Sequence, residues 1–290
     1  MPLIALDAAL DCRISFRMRG LARLVLAALS LAALAPAPLR ACPDSACALA
    51  DGTYRARLPE GAPRGVVLHL HGWGGTAAAA LRSGSRIAPM VDRGYAVIAP
   101  QGLPRWPGDP GGRWNAQAAP GWRDDVAFLR AVLADARGRF ELEGLPTLAA
   151  GFSGGGMMIW RLACAAPGTA DAYAPVAGLM WRPLPERCAG PARLLHAHGW
   201  RDRVVPPEGR AVADGRLVQG DLWESLALMR RANGCGSDAP DAAEIGKGAL
   251  WRRVWRCPGA ALALALHTGG HDAPPGWADM ALDWLEAGGD

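Results

Sequence analysis

Short, almost wholly apolar runs recur along the chain and alternate with longer segments typical of helices. The apolar runs predict strands at residues 65–70, 95–99, 146–151, 172–177, 192–197 and 261–267. Further strands are predicted at 53–58, which alternates like an edge strand, and at 251–256. The segments between them predict helices at residues 76–92, 124–137, 154–166, 219–233 and 277–286. Strands that alternate with helices indicate an α/β fold, with a mostly parallel central sheet covered by helices on both faces. In such sheets reactive groups gather beyond the carboxyl ends of the strands.

The composition fits one folded domain and gives no sign of a nucleic-acid partner. The 290 residues are 51% hydrophobic and 20% charged, which is too apolar for a disordered chain. The net charge of +4 comes from 31 basic and 27 acidic residues. The sequence lacks the dense stretch of basic residues with interleaved aromatic residues that nucleic-acid binding needs. We therefore expect a single domain at residues 42–290 and no nucleic-acid partner.

Residues 1–41 have the pattern of an N-terminal extension followed by a signal peptide. A short apolar run at 24–34 precedes small residues and prolines at 35–41, and the basic region before it contains Arg17, Arg19 and Arg23. The run is too short to span a bilayer comfortably, so we expect no stable membrane span. The pattern predicts a secreted or periplasmic protein.

The cysteines support export. Six cysteines follow the predicted signal, an even number that indicates disulfides in an exported protein. Their order along the chain favours the pairs Cys42–Cys47, Cys164–Cys188 and Cys235–Cys257. Lipid anchoring at Cys42 is not expected, because Arg40 fits a lipoprotein cleavage site poorly.

A glycine-rich turn between a predicted strand and a predicted helix indicates a catalytic nucleophile. Residues 151–155 read Gly-Phe-Ser-Gly-Gly, and a serine in such a strand-to-helix turn has an exposed hydroxyl. The N-terminus of the following helix directs its positive end and its free N–H groups at the same point. We therefore predict Ser153 as the nucleophile.

A serine nucleophile needs a base and a carboxylate that orients the base. His271 lies in a glycine-flexed loop after the last predicted strand, and Asp202 follows the strand at 192–197. Ser153, Asp202 and His271 follow one another in the chain order nucleophile, acid, base. This is the order found in serine hydrolases whose nucleophile lies in a turn between a strand and a helix. Asp272 is too close to His271 along the chain to approach the ring from behind. A surface ion pair with a neighbouring arginine is the alternative role for Asp202.

The oxyanion of an acyl-transfer reaction needs two N–H donors placed in advance. Gly154, the residue after the nucleophile, supplies one, and the glycine-rich loop after the strand at 65–70 supplies the other. Within that loop Trp73 is the first choice and Gly72 the second. His71 is expected to hydrogen-bond the loop rather than act as a base.

No cofactor or metal is expected. The pairs His69/His71 and His196/His198 each face one side of a strand and could imitate metal ligands, but no acidic residues support them. The sequence also lacks a G-x-x-x-x-G-K-[ST] phosphate-binding loop.

The segments LHLHGWGG, GFSGGG, HGWRDRVVP and GGHDAPPGW follow one another in this order. Together with WRDDVAFL, they resemble the polyhydroxybutyrate depolymerase/feruloyl esterase-like group of the α/β hydrolases. The resemblance spans residues 42–290. It implies an exported, cofactor-free serine esterase that acts on polyester oligomers or aromatic acyl esters. It also implies a triad of Ser153, Asp202 and His271, with Trp73 and Gly154 in the oxyanion hole. No appended polymer-binding module is recognisable, so small or oligomeric esters are the expected substrates.

The substrate and the bond cleaved stay open. Tryptophans are abundant in the predicted loops, and Trp181 and Trp200 are the best candidates for the rim of the pocket. The glycine- and proline-rich loop at 100–120 is long enough to suggest a functional role. The same triad could cleave amides, as in a peptidase or amidase. An inactive binding protein of the same fold is a further alternative, although an intact catalytic set argues against it.

Overall fold

The computed structural model describes residue 42 and residues 46–246 and 250–288. The predicted N-terminal extension and signal peptide, residues 1–41, lie outside the described residues. All described residues belong to one unit of the chain, Leu39–Asp290.

The centre of this unit is a ten-stranded sheet. Its strands are β1 (Cys47–Leu49), β2 (Gly52–Arg57), β3 (Gly65–Leu70), β4 (Tyr95–Pro100), β7 (Thr147–Phe152), β8 (Ala172–Val176), β10 (Leu194–Gly199), β13 (Ala242–Gly246), β14 (Leu250–Trp255) and β15 (Leu262–His267). They lie side by side in the order β1-β2-β4-β3-β7-β8-β10-β15-β14-β13. The six strands from β4 to β15 in this order are parallel, and the strands on both sides of them are antiparallel. The carboxyl ends of the parallel strands therefore meet at one edge, as the sequence predicts.

Two smaller sheets lie in the connections between these strands. They are a hairpin of β5 (Leu103–Pro104) with β6 (Gly112–Arg113), and a three-stranded sheet of β9 (Trp181–Arg182), β11 (Arg210–Val212) and β12 (Leu217–Gln219). The sequence predicts neither, because strands of two or three residues have no readable period.

Helices cover both faces of the large sheet. They are α1 (Ala77–Leu81), α2 (Ala88–Asp92), α3 (Asp125–Phe140), α4 (Gly154–Ala165), α5 (Leu222–Asn233) and α6 (Trp277–Glu286). Successive side chains of a strand point to opposite faces. In β3, Leu68 therefore packs in the core shared with α3, α4 and α5, whereas Val67 packs in the core shared with α2 and α6.

The helix predicted at residues 76–92 is in fact two short helices. Thr76 begins α1, where its hydroxyl accepts a hydrogen bond from the Ala79 N–H at 3.0 Å. Pro89 lies in the first turn of α2, where its missing N–H is tolerated. The prediction of one continuous helix was wrong, because it gave no weight to these two start signals.

The six cysteines form the pairs that their order along the chain favours. The disulfides are Cys42–Cys47, Cys164–Cys188 and Cys235–Cys257. Cys164–Cys188 ties the end of α4 to the loop before β10, and Cys235–Cys257 ties the end of α5 to the loop before β15. Each bond therefore closes a short loop next to the core.

Candidate active site

Ser153 stands in a strained turn between β7 and α4. Its φ and ψ are 55° and −120°, a region that costs a non-glycine residue about 1–3 kcal/mol. The turn closes tightly because a Cβ on Gly151 would lie 2.6 Å from the Gly155 carbonyl oxygen. Gly155 in turn has no room for a side chain beside the carbonyl groups at the end of β3. These glycines bring α4 against the sheet and leave the Ser153 hydroxyl at its edge.

The structure brings Ser153, His271 and Asp202 together. The Ser153 hydroxyl donates to His271 Nε2, with Oγ and Nε2 2.9 Å apart. His271 Nδ1–H donates to Asp202 Oδ2 at 2.7 Å. The three residues are separated by 118 and 69 positions along the chain, so the fold alone makes them neighbours. A serine, an imidazole and a carboxylate in this order form a relay that can activate a hydroxyl group.

Asp202 is buried and held by four groups. Its Oδ1 accepts hydrogen bonds from the N–H groups of Val204 at 2.8 Å and Val205 at 2.9 Å. Burial alone would raise its pKa, but the bonds from His271, Val205 and Val204 outweigh burial and lower the pKa below its usual value. Asp202 is therefore a carboxylate at neutral pH and can stabilise a histidine cation.

The fourth group is His198, which ends a chain of buried hydrogen bonds behind Asp202. The Nε2–H of His198 donates to the Val205 carbonyl at 2.8 Å and lies 3.5 Å from Asp202 Oδ2. Its Nδ1 accepts from His196 Nε2–H at 3.0 Å, and His196 Nδ1 accepts from the Trp160 indole at 3.3 Å. The opposite placement of protons would leave His198 Nε2 unprotonated against the oxygens of Val205 and Asp202, whereas this placement leaves only His196 Nδ1 unprotonated against the Pro175 carbonyl oxygen at 3.1 Å. Both rings are neutral, because burial lowers their pKa values, and the chain directs its donor end at the carboxylate.

Buried neutral histidines predict a destabilisation that begins at mild acid pH. Burial lowers the pKa of His69 to about 3, and it also lowers those of His71, His196 and His198 from the ordinary 6.5. Below pH 6.5 the unfolded chain binds protons at these positions more readily than the folded protein does. The free energy of unfolding should therefore fall from pH 6.5 to 5, and the contribution of His69 should approach about 1.4 kcal/mol per pH unit. Urea unfolding curves at a series of pH values measure this slope.

A matched variant isolates one histidine. His69 is buried, and neither ring nitrogen has a hydrogen-bond partner within the described part of the chain, so His69→Leu leaves no polar group behind. We expect the free energy of unfolding of this variant to depend less steeply on pH, by the contribution of one histidine. A free energy of unfolding that stays constant from pH 7 to 5 in the parent protein would contradict the prediction.

The loop that carries His271 packs against the loop that carries Asp202. The Trp200 N–H donates to the His267 carbonyl at 2.7 Å, and the Arg201 N–H donates to the Gly269 carbonyl at 2.9 Å. A Cβ on Gly199 would meet the Gly269 carbonyl oxygen at 2.7 Å, so only glycine allows this approach. These contacts fix the separation of the histidine and the carboxylate.

The loop after β3 brings Trp73 next to the nucleophile turn. The Trp73 backbone nitrogen lies 3.3 Å from the position that a Cβ on Gly154 would take. His71 Nδ1–H donates to the Gly72 carbonyl at 2.8 Å, and His71 Nε2 accepts from the Gly102 N–H at 3.0 Å. His71 thus hydrogen-bonds its own loop to the next one. The Trp73 backbone therefore lies beside Gly154, the residue that follows Ser153.

A cavity of about 400 Å³ opens beside Ser153. Aromatic and aliphatic side chains form most of its wall, among them Trp73, Trp114, Trp122, Met157, Trp181 and Leu217. Arg113 and Gln219 line the same cavity. Sequence reasoning missed these two residues and Trp122, although two of the three lie in or beside the long loop at 100–120.

The two tryptophans predicted for the pocket rim lie in different places. Trp181 lines the cavity at Ser153. Trp200 instead lines a second cleft with Trp223 and Trp251, and 60% of its surface is exposed. The position of Trp200 next to Asp202 in the sequence therefore does not put its ring beside the nucleophile.

A metal centre is not apparent at this edge of the sheet. Within residues 46–246 and 250–288, no group of three or more His, Cys, Asp or Glu side chains is arranged to hold a metal ion. The same residues contain no helix that is long and apolar enough to cross a membrane.

Comparison with known proteins identifies relatives among esterases. The chain is 31% identical over 237 residues to "Putative esterase NocK" of Nocardia uniformis subsp. tsuyamanensis, an alignment that covers 76% of this chain and 67% of that protein. It is 27% identical over 196 residues to feruloyl esterase C of Emericella nidulans, covering 63% of this chain and 67% of that protein. Among solved structures, acetyl xylan esterase from Aspergillus awamori matches with a TM-score of 0.61 and 14% identity, over 81% of this chain and 93% of that one. No family model matches the chain.

The layered sheet and the match to acetyl xylan esterase show that the protein has the α/β-hydrolase fold. The similarity to NocK shows the family. The chain belongs to the esterase group of the α/β hydrolases, and it is a carboxylic ester hydrolase. The fold and the esterase resemblance predicted from the sequence are thus confirmed.

Proposed function

We propose that the protein is an exported serine esterase in which Ser153, His271 and Asp202 form the catalytic triad. The observation that carries this proposal is the pair of hydrogen bonds at 2.9 Å and 2.7 Å that joins the three side chains. A hydroxyl group is a weak nucleophile until a base takes its proton, and His271 is within reach to do so.

The reaction follows from this geometry in two steps. His271 Nε2 takes the Ser153 proton as Oγ attacks the acyl carbon, and the N–H groups of Trp73 and Gly154 hold the oxyanion. His271 then gives the proton to the leaving alcohol, and an acyl-enzyme remains on Ser153. Water attacks this ester with His271 again as the base, which releases the acid and restores the serine. Throughout, the Asp202 carboxylate stabilises the imidazolium and keeps Nδ1 protonated.

Export is supported by two features of the chain. The basic, apolar and small-residue pattern of residues 1–41 is that of a cleaved signal peptide. Three disulfides are formed in the rest of the chain, and such bonds persist in oxidising compartments. A secreted or periplasmic location accounts for both.

The cavity supports small or oligomeric esters as substrates. Its volume of about 400 Å³ is at the lower end of the range for small-molecule pockets, and its wall is mostly apolar. Oligomers of hydroxyalkanoates and aromatic, feruloyl-type esters both match this size and polarity. The second candidate function is amide cleavage, which the same triad could perform.

Two measurements test the proposal. A fluorophosphonate probe should label Ser153, because the activated hydroxyl attacks phosphorus as it would attack an acyl carbon. p-Nitrophenyl esters should then be hydrolysed faster than p-nitroanilides with the same acyl group. Faster cleavage of the anilides would favour an amidase, and absence of both labelling and turnover would favour a binding protein.

A further inference from the structure

Arg113 places a positive charge in the wall of the cavity beside Ser153. Among the described residues that line this cavity, Arg113 is the single charged one. Its guanidinium stacks on the Trp122 ring, 3.7 Å from the ring centroid. Its Nε is buried and has no hydrogen-bond partner within the part of the chain that the structure describes. Arg113 therefore contributes a positive charge to the wall of a largely apolar cavity.

The two other stacked arginines in this part of the chain pair with carboxylates, and Arg113 pairs with none among the described residues. Arg105 stacks on Trp106 and also pairs with Asp109 at 2.6 Å. Arg123 stacks on Phe128 and also pairs with Asp125 at 2.6 Å. No carboxylate of the described residues lies within 4.0 Å of the Arg113 guanidinium. Arg113, like Arg193 on Trp284 and Arg253 on Trp251, stacks on a ring without an ion pair among the described residues. Of these three, only Arg113 lines the cavity beside Ser153.

The backbone of Arg113 is fixed close to the catalytic loops. Arg113 pairs with Leu103 in the β5–β6 hairpin. The preceding Gly112 forms a bridge to Gly75, at the end of the loop that carries Trp73, with an N–H···O distance of 2.8 Å. The backbone around Arg113 is therefore anchored to the same loop as the proposed oxyanion donor, and the stack on Trp122 positions the guanidinium. An anchored cation can bind an anion without the entropic cost of ordering a mobile loop.

Gln219 adds a second unpaired polar group to the cavity. Only 7% of its surface is exposed, and its Oε1 has no hydrogen-bond partner among the described residues. Buried amide groups are normally hydrogen-bonded. A substrate that fills this cavity with hydrocarbon alone would leave both Gln219 and Arg113 unpaired, so the wall favours a ligand with polar ends.

We propose that Arg113 binds a carboxylate of the substrate, so that the enzyme acts on esters that carry a free carboxylate near the scissile bond. This inference rests on the proposed esterase function. The guanidinium would hold the carboxylate through charge-assisted hydrogen bonds while the scissile carbonyl lies against Ser153. Half-esters of dicarboxylic acids and short hydroxyacid esters with a free acid end belong to this class.

Pairs of esters that differ in charge test the proposal. The monoethyl esters of succinate, glutarate and adipate are compared with the corresponding diethyl esters, because this series varies the spacing between carboxylate and scissile carbonyl. We expect at least one monoester to exceed its diester in kcat/KM. Arg113→Gln should lower this ratio about 10- to 100-fold, as the loss of a charge-assisted hydrogen bond would. Arg113→Lys should keep part of the preference, because it keeps the charge but loses the planar fork.

A matched control separates a direct contact from general attraction. Arg210 lies exposed in β11, near the cavity, but does not line it. Arg210→Gln removes the same charge and should leave the monoester preference of the parent enzyme unaltered. The proposal would be overturned if both variants lost the preference for monoesters equally. It would also be overturned if Arg113→Gln kept the parent ratio of monoester to diester kcat/KM.

A binding measurement keeps this result distinct from failure of the esterase proposal. In the Ser153→Ala background, calorimetric titration with monoethyl adipate should show binding that weakens on Arg113→Gln and at higher salt. If neutral esters are turned over through Ser153 and no monoester is preferred or bound better, the role of Arg113 is refuted and the esterase stands. If no ester is turned over, loss of monoester binding in Arg113→Gln still supports the anion site, and unchanged binding refutes it.

Discussion

The Ser153→Ala variant is expected to lose at least about 10⁴-fold in kcat on p-nitrophenyl esters while it remains folded. The hydroxyl is the only group of the triad that forms a bond to the substrate, so nothing else in the site can form the acyl-enzyme. The substitution removes one oxygen atom that donates to His271 Nε2. Alanine has the same Cβ as serine and therefore meets the same strain at φ 55°. Steady-state assays with p-nitrophenyl esters measure kcat, and thermal unfolding shows whether the variant keeps its fold.

A serine outside the site provides the matched control. Ser85 is exposed in the connection between α1 and α2, and Ser85→Ala makes the same chemical change there. Its kcat should equal that of the parent enzyme. A Ser153→Ala enzyme with more than a few per cent of the parent activity would exclude Ser153 as the nucleophile, provided that the preparation is free of parent protein.

The positions of Ser153, Asp202 and His271 could be predicted because topology restricts them strongly. Each follows a strand of the parallel part of the sheet, and the carboxyl ends of parallel strands must meet at one edge. The glycines around Ser153 and His271 indicate turns in which a side chain can point over that edge. Asp272 is too close to His271 along the chain to approach the ring from behind, which leaves Asp202. None of these steps needs the exact register of the sheet.

The wall of the cavity could not be predicted in the same way. It is built from β9, β11 and β12 and from the loop at 100–120, and none of these has a period that sequence can reveal. Trp181 and Trp200 are equally plausible from sequence, since Trp181 follows a strand end and Trp200 adjoins Asp202. Only the pairing of Trp181 with Gln219 in the small sheet turns one ring toward Ser153. The importance of Arg113 likewise depends on the absence of an acidic neighbour among the described residues, which is a property of tertiary structure.

Asp202→Asn is expected to lower kcat about 10³- to 10⁴-fold with little change in the fold. The side-chain oxygen of the new amide can still accept from the N–H groups of Val204 and Val205, which hold Oδ1 of the aspartate at 2.8 and 2.9 Å. The amide nitrogen then faces His271 Nδ1 and donates where the carboxylate accepted. His271 must therefore carry its proton on Nε2, so it cannot take the proton of Ser153. The variant also loses the negative charge that stabilises the imidazolium.

The neighbouring acid Asp272 is the control for this substitution. Asp272 is one residue from His271, and its side chain is exposed and pairs with Arg86 at 3.3 Å. Asp272→Asn should keep kcat within a factor of about 2, because an exposed ion pair contributes little.

The pH profile of the Asp202→Asn enzyme adds a second readout. If Asp202 acts only by keeping the loop folded, raising the pH should not restore activity. If it sets the protonation of His271, hydroxide should partly replace the base, and the rate should rise in alkaline buffer. A variant with parent activity at neutral pH would exclude Asp202 as the group that orients His271.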